Sequence, residues 1–263
     1  MAKPFLRWAG SKRKTLSILS SYWNGNYGRY VEPFAGSACL FFAVSPRKAL
    51  LADINAELIF TYIQVRDNLP AVMRTLRTYQ KGKTQYLVLR KINPFELSDA
   101  GRAARFIYLN RYAFNGIYRT NQEGIFNVPY GGWLAGEMPT SQVFSTCSKL
   151  LKNAKLTAGS FQDILSQTEE GDFVYLDPPY SVSNRRVFRQ YDPASFGSGD
   201  VELLRKWLIR LDKRSVKFLV SYAECREGRY LANNFTCRKI AVRRNIAGFT
   251  ASRRRSYELL ISN

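Results

Sequence analysis

The stretch Tyr30-Val31-Glu32-Pro33-Phe34-Ala35-Gly36-Ser37, continued by the apolar run Ala38 to Val44 and by Ala49-Leu50-Leu51-Ala52-Asp53, decides the fold. An extended apolar piece broken by Pro and Gly, an unbroken apolar stretch, and a second short apolar run ending in an acid read as strand, turn, helix, strand. Ser37 is the expected N-cap of that helix, because its hydroxyl can accept from an unpaired first-turn N–H. The result is one βαβ unit, whose strands run parallel and whose ligands sit beyond the strands' carboxyl ends.

Upstream, Phe5-Leu6-Arg7-Trp8-Ala9-Gly10-Ser11-Lys12-Arg13-Lys14 reads as a short extended piece, a glycine turn and a helix through Leu19. Downstream, Glu57 to Asn110 has helical periodicity. Between Arg111 and Pro139 the pairs Asn115-Gly116, Glu123-Gly124 and Gly131-Gly132 mark a hairpin or ordered loops. Residues 58–145 are therefore expected to be an insertion into an α/β domain formed by 1–57 and 146–263. In the second part, Lys155 to Thr157 reads as a short strand and Asp163 to Gln167 as a helical turn. The run Asp172-Phe173-Val174-Tyr175-Leu176 is a buried parallel strand, stopped by Asp177-Pro178-Pro179-Tyr180. An Arg-rich loop, a helix from Gly199 to Asp212 and strands at Lys217–Ser221 and Ser256–Ser262 complete an open α/β sheet.

Composition narrows the function. Of 263 residues, 46% are hydrophobic, which supports a core and excludes disorder over most of the length. Forty Lys and Arg against twenty Asp and Glu give a net charge of +20, a field that favours a polyanion such as nucleic acid. There is no histidine, which removes Ser-His-Asp and Cys-His catalysis and every His-containing metal site. Cys39, Cys147, Cys225 and Cys237 form no CxxC pair, so a zinc ribbon is excluded and reduced thiols are expected. Neither a signal-peptide core after Met1 nor an apolar run of about 18 residues is present, and a cytoplasmic protein is expected.

Two turns carry candidate chemistry. The Gly36 turn is neither GxGxxG nor a P-loop, and suits a nucleoside or amino-acid ligand better than a triphosphate. Asp53, at the end of the next strand, reads either as an acceptor for ribose hydroxyls or as a plain turn residue capping a helix before Asn55. At Asp177-Pro178-Pro179-Tyr180 the prolines remove two backbone donors and fix φ twice. An acid, a free carbonyl and an aromatic ring then form an acceptor pocket with a stacking face, suited to a planar ring bearing NH2, such as adenine or cytosine. A strand-ending turn with a solvated Asp is the plainer alternative, and it leaves the aromatic without a reason.

Taken in order, Phe5–Lys12, Val31–Gly36, Ala52–Asn55, Tyr108–Arg119, Gly124–Tyr130, Asp177–Tyr180 and Arg255–Asn263 resemble the successive motifs of the Dam-type adenine-specific DNA methyltransferases. The resemblance implies a Rossmann-like class I methyltransferase sheet of seven mostly parallel strands, with a mainly helical target-recognition insertion carrying a β-hairpin. It implies S-adenosylmethionine as donor, S-adenosylhomocysteine as product and no metal. Trp8, Lys12, Glu32, Phe34, Gly36, Asp53 and Asp177 match cofactor positions, while Asp177, Pro178 and Tyr180 match the catalytic corner. Phe114, Asn115, Ile117 and Arg119 match residues that intrude between bases or read their edges. Arg111 and Pro129 belong to the same segment, and Arg7 matches a basic residue contacting guanine. Arg185, Arg186 and Arg253, with Arg189, Arg243, Arg244, Arg254 and Arg255, are expected at phosphates.

This chain departs from the family pattern at Gly10-Ser11, where Gly-Gly is common, and at Gly132, where Arg or Lys is common. A GATC or related site is thus implied without that basic contact. The implied partner is double-stranded DNA, with no membrane and a monomer or weak dimer. A restriction endonuclease sharing the site is left open, as is a bacterial or phage origin. Methylation of adenine in RNA or of a protein glutamine would use the same pocket. A non-catalytic DNA-binding module is the rival from another class, and the intact Asp177–Tyr180 motif argues against it.

Overall fold

The structure, a computed structural model, describes residues 1–121, 124–180, 196–243 and 255–263. At its centre β1 (Arg29–Glu32) pairs in parallel with β2 (Ala49–Asp53) on one side and β4 (Asp172–Leu176) on the other. β3 (Ala154–Ala158) flanks β2, and β5 (Lys217–Ala223) flanks β4, both in parallel. β7 (Arg255–Ser262) runs antiparallel between β5 and β6 (Thr236–Arg243). The order β3-β2-β1-β4-β5-β7-β6 reverses direction between β1 and β4, and the crevice beyond their carboxyl ends is where such sheets bind ligands.

Alternation along β4 sorts the core. Phe173 and Tyr175 face one layer, with Tyr30, Leu51, Leu219 and Leu260. Val174 and Leu176 face the other, with Val31, Leu50, Phe218 and Val220. The second face is covered by α8 (Phe161–Ser166), α9 (Ser198–Lys213) and α10 (Arg226–Ala232). The first is covered by α1 (Leu16–Ser20), α2 (Cys39–Val44), α3 (Ala56–Asp67) and α7 (Ser141–Leu151). Its apolar core continues without a break into α4 (Leu69–Thr78), α5 (Lys83–Lys91) and α6 (Asp99–Tyr112), through Val72, Tyr86 and Ile107.

Three details differ from the sequence reading. Ser37 does not cap α2: the capping position is Ala38, at φ 49°, with no side-chain cap bond. Ala38 N–H donates to Ala35 O at 2.5 Å, and this tight turn sends the Ser37 hydroxyl to Ser11 Oγ at 3.4 Å and Cys39 Sγ at 3.2 Å instead. Between Arg111 and Pro139 the chain does fold back on itself, with Asn121 N–H on Ile125 O and Asn127 N–H on Arg119 O. Among the described residues only isolated bridges form there, Thr120 with Phe126 and Ala113 with Tyr130, and left-handed Asn115 and Gly116 interrupt the extended run. Finally, α10 and β6 were not anticipated. Among the described residues no helix is long and apolar enough to cross a membrane.

Candidate active site

The Gly36 turn follows β1 and is held from three sides. Gly36 N–H donates to Asp53 Oδ2 at 2.9 Å, Ala35 N–H to Ala52 O at 2.8 Å, and the Tyr62 hydroxyl to Gly36 O at 2.6 Å. Asp53 Oδ1 accepts from Asn55 N–H at 3.0 Å, while Asn55 itself caps α3 by accepting from Leu58 N–H. The helix cap is therefore Asn55, and Asp53 ties the end of β2 to the end of β1. Burial pushes the Asp53 carboxyl up, against the N–H groups of Asn55, Gly36 and Ile54, which hold it down. Gly36 lies at φ +47°, and a Cβ there would come within 2.7 Å of Trp8 Cδ1. The Trp8 indole thus lies directly on the turn, backed by Tyr118, whose ring stacks on it at 6.3 Å and 14°. Phe34 stacks on Phe161 at 5.4 Å. Glu32 is buried and accepts from the Tyr30 hydroxyl at 2.9 Å. Burial raises its carboxyl well above the ordinary range, with Asp177 and Asp53 adding to the shift and the Tyr30 bond opposing it.

Across the crevice, β4 ends in Asp177, with Pro178 buried and Pro179 exposed. Lys12, 7% exposed, is delivered by the glycine turn before α1 and places Nζ 2.9 Å from Asp177 Oδ1. The same ammonium donates to the Tyr180 hydroxyl at 2.7 Å and lies 3.6 Å from Glu258 Oε1. Burial alone would lower its pKa, but Asp177, Tyr180 and Glu258 outweigh that and hold Lys12 above its ordinary value. Tyr180 donates its hydroxyl to Glu258 Oε1 at 3.0 Å and packs edge-on against Tyr222. Burial, then the Asp177 charge, raises the Tyr180 phenol well above its usual range. The Tyr175 hydroxyl is buried with no hydrogen-bond partner among the described residues.

The residues matched to target recognition form a contrasting surface. Phe114 is 44% exposed, and Asn115, in the left-handed region at φ 56°, is exposed beside it. Pro129 is exposed, and its carbonyl accepts from Phe114 N–H at 2.9 Å. Ile117 is half-buried, as is Arg119, whose Nε donates to Asn127 Oδ1 at 2.8 Å. Arg7 Nη1 donates to the Arg111 and Ala135 carbonyls, and Asn110 clasps the Arg7 backbone through both its N–H and its carbonyl. Arg111 Nε is buried without a partner among the described residues, and burial beside Arg7 pulls its guanidinium down. Arg185, Arg186, Arg189, Arg244, Arg253 and Arg254 lie outside the described residues.

Of the residues matched to the cofactor and the catalytic corner, Trp8, Phe34, Gly36 and Asp53 thus gather at the β1–β2 ends. Lys12, Asp177 and Tyr180 gather at the end of β4, with Glu32 buried between the two groups. Sequence reasoning did not single out Glu258 or Tyr118. The signal for Glu258 was present as one acid inside the apolar run Tyr257 to Ile261. Among the described residues no group of three or more His, Cys, Asp or Glu is arranged to hold a metal ion.

A mostly parallel seven-stranded sheet with a single antiparallel strand, a glycine turn against an acid at the switch point, and a strand ending in Asp-Pro-Pro-Tyr define a Rossmann-like methyltransferase. Residues 8–246 match the family model of D12 class N6 adenine-specific DNA methyltransferases, and the chain belongs to that family. It is 33% identical to the type II methyltransferase M1.LlaDCHI of Lactococcus lactis subsp. cremoris, over 99% of this chain and 95% of that protein. It is also 33% identical to the type II methyltransferase M.MjaIII of Methanocaldococcus jannaschii, over 99% of each. Identity to the DNA adenine methylase of Escherichia coli K12 is 28%, over 98% of this chain and 94% of that one. The protein is an adenine-specific DNA methyltransferase.

Proposed function

We propose that the enzyme transfers the methyl group of S-adenosylmethionine to the 6-amino group of an adenine flipped out of duplex DNA, at a GATC or related site. The observation that carries this reading is that Asp177-Pro178 and the side-chain-free Gly36 turn follow the carboxyl ends of the neighbouring parallel strands β4 and β1. Fit to the donor is supported by that turn, where a Cβ would collide with the Trp8 indole, and by the half-buried Asp53 carboxylate beside it. Trp8, Lys12, Glu32, Phe34, Gly36, Asp53 and Asp177 would hold it. When bound, S-adenosylmethionine supplies a methyl group on a positively charged sulfur, already activated for transfer.

The adenine amino nitrogen is a weak nucleophile because its lone pair is drawn into the ring. The Asp177 carboxylate and the Pro178 carbonyl accept its two N–H bonds, which favours a pyramidal nitrogen with its lone pair directed out of the ring plane. A carboxylate accepts up to about four hydrogen bonds, so Asp177 can keep Lys12 while taking an amino N–H. Fixed orientation contributes about 7–11 kcal/mol in well-positioned systems. The two acceptors, aimed at a nitrogen that gains positive charge, add an electrostatic contribution. Tyr180 provides the stacking face. Flipping costs on the order of a few kcal/mol, offset in part by Phe114 and Asn115 filling the vacated space. Residues 58–145 form the recognition insertion, in which Arg111, Ile117, Arg119 and Pro129 join Arg7 in meeting the duplex.

Labelled donor offered separately with duplex DNA, RNA and protein tests the reading. Transfer to the adenine amino group of duplex DNA is expected, and exclusive labelling of RNA or of glutamine would overturn it. Asp177→Ala should lower turnover by about 10³-fold or more while duplex binding stays within about threefold. Unchanged turnover would sink the mechanism.

A further inference from the structure

Glu258 is a carboxylate in the wrong place for a carboxylate. It sits on β7 between β5 and β6, opposite Ala223 and Ile240, 3% exposed and followed by the buried Leu259, Leu260 and Ile261. Removing an ionised group from water costs several kcal/mol unless bonds return it. Among the described residues, partners that return it come from three separate parts of the chain. The Tyr180 hydroxyl donates to Oε1 at 3.0 Å, Ser221 Oγ on β5 donates to Oε2 at 3.3 Å, and the Lys12 ammonium lies 3.6 Å from Oε1. One side chain thus joins the N-terminal turn, the end of β4 and the antiparallel strand at the acceptor corner.

Its consequence concerns the geometry of that corner. The Tyr180 ring follows two prolines, and its polar handle is the hydroxyl. Glu258 and Lys12 grip that hydroxyl from two sides, one accepting and one donating. Lys12 is in turn shared between Asp177 and Glu258, so the acid on β7 offsets the pull of the ammonium on the oxygen beside it.

We propose that Glu258 is a positioning residue for methyl transfer: through the Tyr180 hydroxyl and the Lys12 ammonium it sets the stacking face and keeps Asp177 directed at the target amino group. The inference rests on the acceptor-pocket reading given above. A misplacement of about 1 Å at a reacting group can cost 10²-fold, and that is the scale expected here.

The test compares Glu258→Ala, Glu258→Gln, Tyr180→Phe and the Glu258→Ala/Tyr180→Phe double variant with S-adenosylmethionine and two duplexes, one with adenine at the target to read kcat and one with 2-aminopurine there to read base placement by fluorescence. Glu258→Ala should lower kcat by about 10²-fold, leave duplex affinity within about threefold and alter 2-aminopurine fluorescence in the complex. Glu258→Gln, which keeps an oxygen for the Tyr180 hydroxyl, should recover most of that kcat. In the Tyr180→Phe background the Glu258→Ala loss should shrink to about tenfold or less, because the link through the hydroxyl is already cut and only the one through Lys12 remains. Additive losses, or parental kcat in Glu258→Ala, overturn the proposal. If Glu258→Ala does not fold, the same coupling is read with Glu258→Gln against Tyr180→Phe, and additivity there overturns it equally. Loss of activity in Asp177→Ala with none in the Glu258 variants would defeat this inference alone, whereas full activity in Asp177→Ala would defeat the pocket itself.

Discussion

The corner around Asp177 and the surface around Phe114, which share one reaction in the function proposed above, are built on opposite principles. At the corner, Lys12 and Glu258 are almost fully buried and Asp177 and Tyr180 are bonded to them, so four side chains from three chain segments fix one another. On the surface, Phe114 is exposed, Asn115 stands in a left-handed conformation, and the local chain is held by isolated bridges. The difference teaches where each kind of energy is used. Charge-assisted bonds in a dry site orient a reacting atom and cost no reorganisation at the moment of reaction. A side chain that must enter a base stack has to start in solvent, where its burial on DNA can offset unstacking.

The largest way to break this contrast is at a glycine. Gly36→Ala places a methyl into the Trp8 indole at a positive φ, whereas Gly124→Ala, at φ +77° with none of the described residues within 4 Å, meets backbone strain. Strain of this kind costs roughly 1–2 kcal/mol for either. Gly36→Ala should add a fall in donor affinity of about tenfold or more, measured by calorimetry, as the cradle closes. Equal effects of the two substitutions would erase the distinction between a crowded turn and an open one. A smaller effect is expected for Phe114→Ala: thermal stability within about 0.5 kcal/mol and kcat/KM on duplex DNA lower by about tenfold. On a substrate whose target base is already mismatched, that loss should diminish, since less unstacking is required.

The smallest effect concerns stability and pH. Burial holds the Glu32 carboxyl well above its usual 4.5. Between that value and the folded one, the folded chain keeps a proton that the unfolded chain has lost, so Glu32 reduces stability as pH rises through the window. Glu32→Gln mimics the protonated group. It should melt at a higher temperature than the parent near pH 8 and at the same temperature near pH 4. A gain that does not depend on pH would show that Glu32 is ionised in the fold.

Much of the fold was legible because its strands are short apolar runs with punctuated ends. β1, β2, β4 and β5 stop at Pro, Asp or another polar residue, as buried parallel strands do, and the antiparallel β7 ends at Ser262. β6 was not legible, since at the sheet edge Ile240 is the one buried position among those described and its charged residues obscure the period. The Ser37 cap was misread because a hydroxyl before an apolar run is a local signal, and the turn that diverts it depends on Gly36, Ala38 and the distant Ser11. Lys12 and Asp177 could be singled out from their motifs, but their 2.9 Å contact joins segments far apart in the chain.

What the sequence alone determined is chemistry that neighbouring residues dictate: a proline-stopped acceptor at Asp177, a turn that requires Gly36, and a charge of +20 suited to a phosphate backbone. Only the tertiary structure decided that Glu258, on the antiparallel strand, meets Lys12 and Tyr180 beneath that acceptor. The reason is physical. Backbone conformation and net charge follow from local composition, whereas the partner of a buried carboxylate is set by which strands the sheet brings side by side.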